Sequence, residues 1–333
     1  MSELILHHYD ASPFSEKIRL MMGYKSAAQS DFRYRGVDIP VIMPKPTLMP
    51  LTGGYRKTPV AQVGADIYCD SALISRLIDR MYPENPLFPP ELEATTGAMA
   101  HWTDTFFFRV SVAMAFQPKA LASSPLFSDP KTAAAFMADR AEFGKGSTEL
   151  QMDFFAAEPH WLLHLRRLDE QLGHQDFLFG SAPNIADFST YHCLWFVHNN
   201  AALQPEFKPF QNVVGWMQRM AAFGHGDFVA MDGAEALAVA KVATPQTPEK
   251  QGFAMTDGPS VGDQVDVLPI DYGFQPTTGE LLMHSLEEIA VKRKDDQVGE
   301  VVVHFPRLGF RIQPSQALSN KALSSQDLSS QDL

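Results

Sequence analysis

The sequence predicts an α/β domain of element order βαβ–ββα, then an all-helical domain, then a small β-rich domain. Three observations carry that prediction. Apolar runs alternate with helical spacing over residues 1–83, long segments of helical period fill 90–224, and short β-branched runs separated by Gly, Pro and Asp fill 225–318.

Each element has a local reason. Residues 4–8 form an apolar run read as a buried strand, and Phe14, Ile18, Met21 and Met22 then share one helical face. Pro13 suits the first turn of that helix, where its missing N–H would have had no partner. A second strand is expected at 32–37, followed by an irregular Pro- and Gly-rich loop at 40–55. Residues 60–63, a Gly64-Ala65 turn and 66–69 read as a hairpin, after which Leu73, Ile74, Leu77, Ile78 and Met81 return to helical spacing. This order is that of a thioredoxin-like domain.

Long helices are predicted at 91–116, 132–143, 154–172, 185–197 and 210–223, and a shorter one at 234–242. Strands at 264–268, 281–285, 289–292, 301–305 and 310–313 suggest a small barrel or curled sheet. The mixed charges of 292–296 suit a hairpin end in solvent. The polar tail 319–333, which repeats Ser-Ser-Gln-Asp-Leu, is expected to be disordered.

Composition excludes several classes. A net charge of −12 opposes nucleic-acid binding. No apolar run approaches the roughly 20 residues that span a bilayer, and the N-terminus lacks a signal-peptide pattern, so the cytoplasm is expected. Cys69 and Cys193 are too few and too far apart for a disulfide framework or a cysteine metal site, and are expected as buried thiols. His160 and His164 have the spacing of a metal pair but no accompanying third ligand, so no metal is expected.

Ser12 sits where the first strand gives way to the first helix. Unpaired N–H groups and the positive end of the helix dipole favour an anion there, and the chain supplies a hydroxyl rather than a thiol. The segment Ser12-Pro13-Phe14 resembles the Ser-type members of the glutathione S-transferase family. Lys57-Thr58-Pro59-Val60, Asp70-Ser71 and the Asn184 to Asp187 capping signature resemble the same family, over residues 4–222.

That resemblance implies a glutathione co-substrate whose thiol is activated at Ser12, with Tyr9 and Ser15 as alternative catalytic residues. A fall of about two units in the thiol pKa corresponds to roughly 2.7 kcal/mol, within reach of one hydrogen bond and a dipole. Phe14, Lys57, Pro59, Val60, Asp70 and Ser71 would bind glutathione. Pro59 would be cis and expose the Val60 backbone to the cysteinyl part, Lys57 would meet a carboxylate, and Ser71 would cap the next helix beside the γ-glutamyl group. Trp102 and Phe106 are candidates for a pocket that takes a hydrophobic electrophile, and family members usually form homodimers. The expectation is therefore a detoxifying transferase; the alternative is a noncatalytic binding or scaffold protein acting through its C-terminal extension. The length of the 43–55 loop and of that extension depart from the family pattern.

Overall fold

The computed structural model describes residues 3–29, 32–124, 127–149, 151–246, 248 and 258–315. The tail expected to be disordered, 319–333, lies outside them. β1 (Leu4–His8) is buried along its whole length because strands flank it on both sides. β2 (Tyr34–Asp38) runs parallel to it, and β3 (Val60–Val63) antiparallel. α1 (Pro13–Ser26) links the first two strands, β4 (Asp66–Cys69) completes the hairpin with β3, and α3 (Ser71–Met81) follows. The loop read as irregular contains a four-residue helix, α2 (Met49–Thr52).

The helical region comprises α4 (Glu93–Trp102), α5 (Phe108–Ala115), α6 (Pro118–Ser123), α7 (Pro130–Phe143), α8 (Phe154–Leu172), α9 (Ile185–His198) and α10 (Gln211–Ala221). One continuous helix was expected at 91–116. A π-helical turn, Thr103–Phe107, interrupts it. Hydroxyls explain part of the irregularity: Thr103 Oγ1 donates to Met99 O and Thr105 Oγ1 to His101 O, and such back-bonding competes with the helix ladder. The capping box at the start of α9 forms, with Asn184 Oδ1 accepting from Ala186 N and Asp187 Oδ2 from Asn184 N.

The C-terminal strands are β6 (Gln264–Pro269), β7 (Thr277–His284), β8 (Glu288–Asp295), β9 (Gly299–Pro306) and β10 (Phe310–Pro314). The barrel or curled sheet expected here takes the form of an extension of the N-terminal sheet. β9 pairs parallel with β4, and β5 (Phe228–Ala230) pairs parallel with β2, giving one ten-stranded sheet of order β10-β6-β7-β8-β9-β4-β3-β1-β2-β5. Unpaired strand edges are liabilities, so partners on β4 and β2 protect both sides of the thioredoxin-like unit.

Two cores result. One joins α1 and α3 to the helical region, with Trp161, Phe188 and Trp216 at or near zero exposure. The other, on the opposite face of the sheet, joins Ile5, Val60 and Ile67 to Ala236 and Ala240 of α11 (Gly233–Val242) and to Val291 and Phe305. Arg293, expected in solvent, instead donates to Pro50 O of α2. Cys69 and Cys193 are buried, and burial pushes both thiols well above their ordinary pKa.

A buried histidine marks the seam between β4 and β9. His304 Nδ1 lies 2.6 Å from Glu288 Oε1 and Nε2 lies 3.3 Å from Asp66 Oδ1, while its ring stacks on Tyr68. Burial alone would lower its pKa, but the hydrogen bonds and charges of the two carboxylates win and hold it above 6.5. Its contribution to stability is therefore complete below pH 6.5 and is lost as pH rises through the raised value. Denaturant titrations of the wild type should show stability falling as pH rises above 6.5, and His304→Gln should flatten the profile. A wild-type profile no steeper than the variant's would remove His304 from the energetics of the seam.

Candidate functional site

Ser12 caps α1 from an extended conformation, and its Oγ accepts from Ser15 N at 3.2 Å. The hydroxyl also hydrogen-bonds the Tyr9 phenol. The residue is 2% exposed. Burial pushes the Tyr9 phenol above its ordinary pKa, against the pull of Arg140 and of a hydrogen bond with Ser12, so Tyr9 remains a neutral donor at physiological pH. Ser15 is completely buried and its Oγ is unpartnered, which sets it behind Ser12 rather than at a surface.

Two grooves meet at Asp10 and Ala11, immediately before Ser12. One, of about 500 Å³, runs between Glu16, Arg19, Trp195 and His225. The other, of about 480 Å³, runs past Tyr9 to Ile39, Pro40 and Val41.

The Thr58–Pro59 peptide is cis. Val60 departs from the expected role: it is fully buried in the sheet, opposite His7 of β1 and Cys69 of β4, so it presents no open backbone edge. Thr58, which precedes the cis bond, is half-buried and lies outside the ladder. The cap of α3 also differs from expectation. Asp70, not Ser71, holds it, with Oδ1 accepting from Ala72 N at 2.9 Å and the backbone at φ 76°. A left-handed aspartate is sparsely populated and strained, a feature that clusters at functional sites. Burial raises the Asp70 carboxyl pKa, opposed by the Ala72 N–H and by Lys57.

Lys57 does not face solvent. Its Nζ donates to both oxygens of Asp271, at 2.5 and 2.7 Å, and lies 3.9 Å from the centre of the Tyr272 ring. Beside it, Arg56 donates to both oxygens of Asp139 at 2.6 Å, and Arg140 also pairs with Asp139. Lys45 is 2% exposed and donates to Arg56 O and Thr58 Oγ1. Its burial, together with Arg140 and Arg56, brings its pKa down to about 8.

Sequence reasoning missed Lys45, Arg56, Asp139, Asp271 and Tyr272. The unusual length of the 43–55 loop was the only signal for Lys45, and nothing local ties Lys57 to an aspartate 214 positions later.

The aromatic candidates divide. Trp102 and Phe106 turn toward α8, where they meet His164 and His160, each at 5.0 Å between ring centroids. They therefore line a helix interface rather than the grooves beside Ser12. Phe108, from the same aromatic run, packs 4.6 Å from Phe14, which also contacts His192. Under this pair the buried Lys17 donates to Asp104 Oδ2 at 2.6 Å, while His192 and Ser189 bond the same carboxylate. Burial would raise the Asp104 pKa, but Lys17 and His192 hold it at about 2. No cluster of three or more metal-ligating side chains occurs among the described residues.

With this geometry in place, comparisons define the class. The profile of the glutathione S-transferase N-terminal domain matches residues 6–86, and that of the C-terminal domain matches 154–219. The crystal structure of a GST-like protein from Pseudomonas syringae is 38% identical, covers 95% of this chain and 100% of its own, and superposes with a TM-score of 0.78. A glutathione S-transferase from Rhodospirillum rubrum is 16% identical over 66% of this chain and 88% of its own, with a TM-score of 0.48. A beta-etherase from a Sphingobium strain is 18% identical over 67% and 96%, with a TM-score of 0.45. No curated protein matches. The chain belongs to the glutathione S-transferase family, with additional C-terminal strands.

Asp139 is the counter-ion on which Arg56 and Arg140 both depend. Asp139→Ala, which strands Arg56 in a buried setting, should cost about 3 kcal/mol in chemical denaturation. A loss below about 0.5 kcal/mol, the scale of an exposed pair, would show that the cluster is solvated instead.

Proposed function

We propose that the protein binds a glutathione-type thiol and activates it for attack on a hydrophobic electrophile. The observation that supports this reading most strongly is the arrangement of Ser12, a capping hydroxyl that also hydrogen-bonds the neutral Tyr9 phenol, at the positive end of α1. In this reading Ser12 donates to the thiolate sulfur, the Thr58 main chain pairs with the cysteinyl unit beside Pro59, and Asp70 with the start of α3 receives the γ-glutamyl end. Phe14 holds the base of the site, and Lys57 lies toward the third residue of the thiol peptide. Ile39, Pro40 and Val41 give the groove beside Tyr9 an apolar wall for the electrophile. Approximation of thiolate and electrophile supplies the rate.

Removal of the hydroxyl should weaken the thiolate selectively. Ser12→Ala should raise the pKa of the bound thiol, read from ultraviolet thiolate absorbance, and lower kcat/KM about 10- to 100-fold, the equivalent of one to two pKa units. Full activity in Ser12→Ala combined with its loss in Tyr9→Phe would move the catalytic role to the tyrosine.

One observation favours the noncatalytic alternative: Asp271 and Tyr272, from the C-terminal strands, already occupy Lys57. Absence of heat in calorimetry and of a thermal shift with both glutathione and its glycine amide at millimolar concentration would establish that reading.

A homodimer is proposed from the helical face. Phe155, Leu162 and Leu163 of α8 are 83%, 46% and 38% exposed, and Trp102 of α4 is 37% exposed, so an apolar stripe faces outward. Sedimentation equilibrium should give a dimer that Leu162→Arg converts to monomer; a monomeric wild type would remove the proposal. No helix among the described residues is long and apolar enough to cross a membrane, and a cytoplasmic, detoxifying role is proposed with the transferase reading.

A further inference from the structure

We propose that Asp271 and Tyr272 make the site selective for a γ-glutamyl-cysteinyl thiol whose third residue ends in a neutral amide instead of a free carboxylate. The inference rests on the reading of the Ser12 site given above and concerns the end of the ligand that approaches Lys57.

The charge of Lys57 is already matched. Both carboxylate oxygens of Asp271 accept from its ammonium, and the Tyr272 ring covers another side at 3.9 Å. The neighbouring cations are engaged as well: Arg56 and Arg140 share Asp139, and Lys45 donates to Arg56 O and Thr58 Oγ1. An incoming carboxylate would meet Asp271 across a shared lysine, with repulsion between the two anions. A carboxamide brings no second anion and can donate an N–H to Asp271.

The wall is built rather than loosely laid against the site. Ser147 Oγ donates to Asp271 O, and Tyr272 N donates to Asp271 Oδ1 at 2.8 Å. Gly273 N donates to Phe143 O at 3.0 Å, and the Phe143 and Tyr272 rings meet edge to face at 5.1 Å. Thr277 Oγ1 donates to Thr52 O at 2.8 Å. Gly54 lies so near the same segment that a Cβ on it would stand 2.1 Å from Pro276 O. Three parts of the chain, 52–57, 139–147 and 271–277, therefore fix one carboxylate in place. Fixed groups discriminate because the wrong ligand cannot push them aside without loss elsewhere.

The test is calorimetric titration of the full chain with glutathione and with its glycine amide. The wild type should bind the amide about tenfold more tightly, equivalent to about 1.4 kcal/mol. Asp271→Asn should reverse the order, and Asp271→Glu, which keeps the charge, should retain it. Should Asp271→Asn fail to fold, the wild-type comparison decides alone. Free glutathione bound as tightly as the amide or more so, with a Ser12-dependent thiolate signal, would overturn the selectivity and leave the thiol-activating reading intact. Binding of neither thiol would overturn both.

Discussion

Along β4, Asp66, Ile67 and Tyr68 face Val302, Val303 and His304 of β9, and the C-terminal strands reach the rest of the molecule through that short parallel ladder. Without it β4 would be an open edge, and β6 to β10 would be held only by contacts such as Arg293 with Pro50 O and Thr277 with Thr52 O. With it, the chain between β6 and β7 is carried over α2 and the Lys57 loop, where Asp271 and Thr277 make their contacts. The ladder is short, so its strength comes from what surrounds it. Ile67 and Val303 pack into one core, and His304 sits between two carboxylates that a dry neighbourhood would otherwise penalise.

The same logic of buried, mutually satisfied charge recurs at the site. Lys17, Asp104 and His192 fix α1 to the helical region below Phe14, while Arg56, Asp139 and Arg140 fix the Lys57 loop to α7. Ser12 is the N-cap of α1, the helix that the first of these networks holds in place. Rigid support matters for a hydroxyl that must meet a sulfur at hydrogen-bond distance, because small displacements forfeit most of the interaction.

Much of this architecture was readable from spacing. The alternation at 60–69 and the helical periods of α1, α3, α8 and α10 arise from local burial and survive in the fold. Asn184 with Asp187 announces a helix start because capping chemistry is local. The cap at Asp70 was misplaced by one residue, since Ser and Asp are both good caps and only the backbone, at positive φ, distinguishes them. Val60 was read as exposed backbone because a sequence does not show that strands lie on both of its sides. Trp102 and Phe106 share a helix with Phe108, and the π-helical turn between them changes which ring reaches α1, a shift that periodicity alone does not reveal.

The chain order of the sheet has a consequence for how the protein is made. The partner of β4 is encoded more than two hundred positions downstream, so a ribosome releases the six elements from β1 to β4 long before their neighbour exists. During that interval the β4 edge is bare, and distant pairings form slowly because the closing of a long loop precedes any gain in contacts. The nascent N-terminal unit is thus the species most exposed to wrong pairing, and protection by chaperones matters most before β9 emerges.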